Sequence, residues 1–160
     1  MKVPNHVKLV NIPNKGRGLI SKKNIKKGEM VLKFDDGVTI RPNSTASITA
    51  LQIDEDTFLD SEPTQIRDFL NHSCMPNVRI DFDRMGCFSI REIKPGDEIT
   101  FSYVTTEYDL AIKNETFQCF CGEKNCIGIV KGFKHLKKEH QIKLKPLLTP
   151  YLLRKLNKNF

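Results

Sequence analysis

Asn71-His72-Ser73-Cys74-Met75-Pro76-Asn77 decides how the rest of the chain is read. Amides, an imidazole, a hydroxyl, a thiol and a proline sit within two turns' worth of chain. Such polar density is costly to bury unless every group has a partner. Yet the segment follows the apolar Ile66, Phe69 and Leu70 and precedes the strand-like Val78-Arg79-Ile80-Asp81-Phe82. It therefore enters the interior with its polar groups engaged by protein, metal or ligand.

Working outward, short strands alternate with turns, so the chain reads as mostly β. Residues 7–12, 30–34 and 98–103 read as strands, and 78–82 with 87–91 as a hairpin. Lys15-Gly16-Arg17-Gly18 reads as a glycine turn. Asp35-Asp36-Gly37 predicts a tight hairpin into residues 38–41. Residues 42–62, rich in Ser, Thr and Asp, read as mostly loop. Pro63 predicts the first turn of a short helix through Leu70. Toward the end, 135–144 has helical apolar spacing. Thr149-Pro150 predicts an N-cap and first turn, with Leu152, Leu153 and Leu156 facing inward.

At 160 residues the chain is long enough for one domain with a real core. No apolar run approaches the roughly 20 residues that span a bilayer. The start, Met1-Lys2-Val3-Pro4-Asn5-His6, lacks a signal-peptide core, which predicts an intracellular protein with reduced thiols, cytoplasmic or, in a eukaryote, nuclear. The net charge of +7 divides into +8 over residues 1–33, −9 over 34–130 and +8 over 131–160. The basic ends are solvated surface or a weak nucleic-acid contact. The acidic centre, densest from Asp54 to Glu62, is solvated surface or a receptor for a basic peptide.

The five cysteines are Cys74, Cys87, Cys119, Cys121 and Cys126. Cys119-Phe120-Cys121 cannot readily close a disulfide, and Cys-x-Cys-x4-Cys with a turn glycine suits three thiolates on one zinc. Spacing leaves the fourth donor open among Cys74, Cys87, His72, His135 and His140. Cys87, in a strand beside Phe88, reads as a small buried hydrophobe. Tyr108 and His135 read as packing and surface residues.

In order, these pieces are a Gly-x-Gly turn, the 71–77 heptapeptide, Gly96-Asp97-Glu98-Ile99-Thr100-Phe101-Ser102-Tyr103, and Cys-x-Cys-x4-Cys. Over roughly residues 6–132 the chain resembles SET-domain protein lysine methyltransferases with a post-SET zinc motif. Gly132-Phe133-Lys134-His135-Leu136 is similar to a segment of short single-domain SET proteins. The resemblance implies small β-sheets around a knot-like crossing, where the segments near Asn71 and Tyr103 pack side by side. It divides the chain into a SET domain (6–115), a post-SET zinc motif (116–132) and a basic helical extension (133–160).

The resemblance further implies S-adenosyl-L-methionine as methyl donor, one structural Zn2+ and a lysine-bearing protein substrate, a histone or other basic protein. Gly16-Arg17-Gly18 matches the turn whose backbone touches the cofactor. Asn71 and His72 match its hydrogen-bonding pair, and Phe117 or Phe120 an adenine-stacking aromatic. Cys74 matches the fourth ligand beside Cys119, Cys121 and Cys126. Tyr103 matches the catalytic tyrosine and Phe101 a residue that influences methylation number, here toward di- or trimethylation. A pre-SET cysteine cluster is missing, and the short 42–62 insert leaves the target open. The competing readings are an inactive zinc-stapled peptide- or chromatin-binding module and a basic nucleic-acid binder.

Overall fold

The computed structural model describes residues 1–34 and 37–158. Its strands in chain order are β1 (Val7–Ile12), β2 (Gly16–Ser21), β3 (Met30–Lys33), β4 (Val38–Arg41), β5 (Leu51–Asp54) and β6 (Thr57–Ser61). After a 3-10 turn (Ile66–Phe69) come β7 (Asn71–His72), β8 (Val78–Asp81), β9 (Gly86–Ser89), β10 (Glu98–Phe101), β11 (Phe117–Gln118) and β12 (Ile129–Val130). Among the described residues, two short α-helices, α1 (Lys138–Lys143) and α2 (Pro150–Lys158), follow the strands. The architecture is mostly β, as the alternation predicts.

Small sheets with the orders β1-β2-β10-β7, β3-β9-β8 and β4-β6-β5 surround one core. Leu19, Ile25, Ile93 and Ile99 are essentially fully buried in it. Each such side chain contributes about 1.5–3 kcal/mol through burial. A second core joins the end of the β region to the chain's last third. Val104, Leu110, Val130, Phe133, Tyr151, Leu152 and Leu156 pack together there, with Cys119 among them.

Several expectations are corrected. The glycines of 16–18 belong to β2 itself, and the turn precedes them at Asn14, which has φ +62°. Of the expected hairpin turn, Asp35 and Asp36 lie outside the described residues. The flanking strands do not pair, since β3 binds β9 and β4 binds β6. The 42–62 segment is mostly loop, as expected, but β5 and β6 form a hairpin inside it that the sequence reading lacks. Its apolar residues Leu51, Phe58 and Leu59 are buried, whereas Ile48 is exposed. The helix expected from Pro63 starts only at Ile66, where the Asp68 carboxylate accepts the Gln65 N–H at 2.7 Å.

In the tail, the 135–144 helix shortens to Lys138–Lys143. Its expected start is held elsewhere, because the N–H groups of Phe133 and Lys134 donate to the carbonyls of Glu107 and Tyr108, each at 2.9 Å. Gly132 precedes this anchor at φ +104°, and a Cβ there would stand 2.6 Å from the Tyr108 carbonyl oxygen. In α2, Leu152 and Leu156 face inward as predicted, while Leu153 is half-buried. The Thr149 carbonyl accepts the Leu153 N–H, but its buried hydroxyl has no partner and makes no cap.

Candidate active site and metal centre

Protein groups engage most of the heptapeptide, while Met75 is exposed and Asn71 and His72 face a cavity. β7 runs parallel to β10, with Asn71 opposite Thr100 and His72 opposite Phe101. The Asn77 side chain locks the crossing. Its carbonyl accepts the Thr100 N–H at 2.9 Å and its amide donates to the Glu98 carbonyl at 2.7 Å. Arg91 donates to the carbonyls of Met75 and Pro76.

Asn71 Nδ2 donates to the Arg17 carbonyl at 3.2 Å and to Glu98 Oε1 at 3.0 Å. Lys15 donates to the other Glu98 oxygen at 2.6 Å. Gly18 permits this contact, because a Cβ there would lie 2.4 Å from Asn71 Nδ2. Gly16 takes φ +76° at the start of β2. The Arg17 guanidinium lies 4.4 Å from the centre of the Phe69 ring. Gly16, Arg17 and Gly18 thus back Asn71 without lining the cavity beside it.

That cavity, about 340 Å³, is lined by Lys15, Asn71, His72, Tyr103, Phe117 and Phe120 among others. Phe117 meets His72 and Tyr103 edge to face, with ring centres 5.9 and 5.6 Å apart. Phe120 is 53% exposed despite its apolar ring. A lining that combines polar groups with aromatic rings, one of them exposed, fits a ligand with an amino-acid end and a planar base. A second, narrow cavity of about 60 Å³ is lined by Leu51, Leu70, Phe101, Tyr103 and Glu107 among others. Among the described residues, Tyr103 alone lines both.

Tyr103 is held at both ends. Its N–H donates to His72 Nδ1 at 3.1 Å and its hydroxyl to the Leu70 carbonyl at 2.8 Å. Burial, reinforced by the carboxylates of Glu107 and Glu98, raises its pKa, so the hydroxyl stays protonated. Phe101 stacks beside it at 4.8 Å. Burial, with Lys15 nearby, lowers the His72 pKa to about 4, so the imidazole is neutral. Because Nδ1 accepts from Tyr103, the ring proton sits on Nε2, which faces Cys74 Sγ at 3.4 Å. Both ring nitrogens are therefore occupied by protein.

The sulfurs of Cys74, Cys119, Cys121 and Cys126 all lie within 4.8 Å of one another, and Cys74 to Cys119 is 3.8 Å. With Zn–S near 2.3 Å, tetrahedral sulfurs stand about 3.8 Å apart, so the set fits one zinc ion. The N–H groups of Ile127 and Gly128 donate to Cys74 and Cys126. Burial pushes up the thiol pKa values of Cys74 and Cys119. Thiolates in this setting call for a cation among them. Cys87 lies apart, fully buried in β9. His135 also stays out, pairing with Asp109 at 2.8 Å, and Tyr108 packs on Tyr151.

Sequence reading missed Glu107, Gln52 and Lys15. Glu107 is buried on the narrow cavity, and its Oε1 accepts the Gln52 N–H at 3.0 Å. Burial raises its carboxyl pKa to about 7. The only signal in the sequence is a lone acid four residues beyond Tyr103.

A family model described as SET domain matches residues 16–104, more than half of the chain. The chain is 32% identical over 144 residues to "Histone-lysine N-methyltransferase, H3 lysine-36 specific" of Yarrowia lipolytica, covering 79% of this chain and 18% of that protein. It is 36% identical over 74 residues to "Methyltransferase flvH" of Aspergillus flavus, covering 43% of this chain and 38% of that one. The chain thus spans less than a fifth of the Yarrowia protein. Its fold is similar to that of KRYPTONITE, crystallised with mCHG DNA and SAH, at a TM-score of 0.62 and 24% identity over 77% of this chain and 28% of that chain. The matched span includes the β7–β10 crossing and Tyr103, and on this ground the chain belongs to the SET-domain family.

Proposed function

We propose that the chain transfers methyl groups from S-adenosylmethionine to the ε-amine of a lysine in a protein, a histone or another basic protein. The observation that carries this reading is the pair of cavities that share, among the described residues, only Tyr103. One suits the methyl donor and the other a lysine side chain. S-adenosylmethionine supplies an electrophilic methyl group bound to a sulfonium.

The residues then take these roles. Asn71 holds the donor's amino-acid end, and Gly16, Arg17 and Gly18 support Asn71 from behind. His72 contributes the wall of its ring, while Phe117 and Phe120 cover the adenine. Cys74, Cys119, Cys121 and Cys126 hold zinc, which fixes the wall carrying those phenylalanines. Tyr103 and Phe101 line the lysine's path. A lysine near pKa 10.4 is about one part in a thousand neutral at pH 7.4. Apolar walls and exclusion of water ease its deprotonation. The neutral hydroxyl of Tyr103 orients the amine rather than acting as base. Phenylalanine at 101 leaves room beside the amine, which favours di- or trimethylation.

The division into 6–115, 116–132 and 133–160 is proposed on the same basis. No helix among the described residues is long and apolar enough to cross a membrane. The Yarrowia relative is specific for lysine 36 of H3, and KRYPTONITE has been crystallised with DNA and an H3(1-15) peptide, so H3 is the first acceptor to try.

The test combines radiolabelled S-adenosylmethionine with the zinc-loaded chain and recombinant core histones or a cell lysate. Transfer, with di- and trimethyl-lysine by mass spectrometry, is expected. Tyr103→Phe should lose about 10²-fold or more in turnover while still binding the cofactor. Cofactor binding without transfer to any protein would favour an inactive binding module. Only monomethyl product after exhaustive reaction would overturn the assignment for Phe101.

A further inference from the structure

Glu107 is a buried acid that joins no ion pair among the described residues, although the charge of Lys113 favours its ionised form. It is only 7% exposed. The charged groups around it are committed elsewhere. Arg67, on the same narrow cavity, pairs with Asp68 at 3.8 Å and donates to the Leu59 carbonyl. Lys113 pairs with Glu115 at 4.0 Å and lies 3.7 Å from the Phe58 ring centre. The remaining titratable neighbour, Tyr103, is neutral. A carboxylate left in such a place is costly unless a cation joins it.

Its position is fixed by backbone contacts and by hydrogen bonds to its carboxylate, one of them from the Thr106 side chain. The Glu107 N–H donates to the Tyr103 carbonyl at 2.8 Å, and its own carbonyl accepts the Phe133 N–H at 2.9 Å. One carboxylate oxygen accepts the Gln52 N–H at 3.0 Å. Gln52 is itself locked, since its side-chain carbonyl accepts the Tyr108 N–H at 2.9 Å. The carboxyl therefore stays on the wall that Tyr103 and Phe101 share.

We propose that Glu107 receives the ammonium of the incoming lysine and takes its proton. The inference rests on the methyltransferase reading of the site. In this step an N–H bond of the ammonium breaks and an O–H bond forms on Glu107. The electron pair stays on nitrogen, leaving a neutral amine beside Tyr103. The proton then passes from Glu107 to water as the site reopens. A carboxyl that titrates close to neutrality is suited to this exchange, because it can both accept and release a proton there.

The test uses the full zinc-loaded chain and n-butylammonium chloride, the cationic end of a lysine side chain. Glutamate side-chain carboxyls are labelled with ¹³C and titrated by NMR. The Glu107 signal should titrate near pH 7 alone and at least one unit lower with saturating n-butylammonium, but not with potassium at equal ionic strength. Glu107→Gln keeps the acceptor for Gln52 and should bind n-butylammonium at least tenfold more weakly, with zinc content and melting profile showing that it folds.

In the histone assay, wild-type kcat/KM should rise through a limb near neutrality that Glu107→Gln lacks. An unchanged midpoint with n-butylammonium, or the same limb in the variant, would overturn the proposal. If n-butylammonium shifts Glu107 but no protein is methylated, the ammonium site stands and the methyltransferase reading falls. If wild type methylates histones and the midpoint does not move, the reverse holds.

Discussion

Glu107 ties stability to pH as well as lining a cavity. Its carboxyl titrates at about 7 in the fold against 4.5 as its ordinary value. Between those values the folded chain binds more protons than the unfolded one, so stability falls as pH rises from about 4.5 to about 7. Above that window the full penalty applies, at most about 3 kcal/mol by the usual conversion. Glu107→Gln should therefore melt several degrees above wild type at pH 8 and lose most of that lead at pH 5. Calorimetry of both proteins across the range checks this, and a constant difference would refute it. Sequence alone could not rank this acid. Its acceptor role joins residues 55 apart in the chain, and its burial depends on the fold.

At the scale of elements, the β7–β10 crossing depends on the hairpin beneath it. Gly18 sits under Asn71, and a Cβ there would also lie 2.7 Å from Ile12 Cγ1. Gly18→Ala must displace both of these neighbours, at about 1–3 kcal/mol of stability. Asn71 would lose its grip on the Arg17 carbonyl. Isothermal titration should show weaker S-adenosylmethionine binding in that variant; unchanged affinity and melting would refute the packing argument. β8 was legible because its apolar residues alternate, and β1 because its own alternate loosely. The β5–β6 hairpin was hidden because Asp54, Glu55 and Asp56 mask its turn and Asp60 is buried within a strand. Asp60 is satisfied there by the Ser47 N–H and hydroxyl and by Arg41, contacts that no local pattern reveals. Three cysteines announced a metal by spacing. Cys74 joins them from 45 residues away, so only the family resemblance pointed to it.

Across the whole molecule, the basic tail and the acidic centre are partly each other's partners. Arg154 pairs with Asp54 at 3.0 Å, Lys155 with Glu55 at 2.5 Å, and Lys134 with Asp109 at 3.1 Å. Acids read as a receptor for a foreign basic peptide thus meet this chain's own α2. The same tail shares the second core with the cysteine segment. Loss of the metal should therefore loosen the cofactor wall and the tail together. Cys121→Ser is expected to lose zinc by elemental analysis, to melt lower, and to bind S-adenosylmethionine at least about tenfold more weakly. Full affinity in a zinc-free preparation would separate the two sites.

The path from Cys74 through the His72 ring to the Tyr103 backbone, with steps of 3.4 and 3.1 Å, makes the metal a listening post. Cobalt(II) substituted for zinc would colour the centre through its thiolates. Any ligand that shifts Tyr103 or His72 alters the hydrogen bond to one of those sulfurs. Absorption of the cobalt protein should therefore change when the neighbouring cavity fills, giving an optical readout of occupancy that needs no label and no turnover.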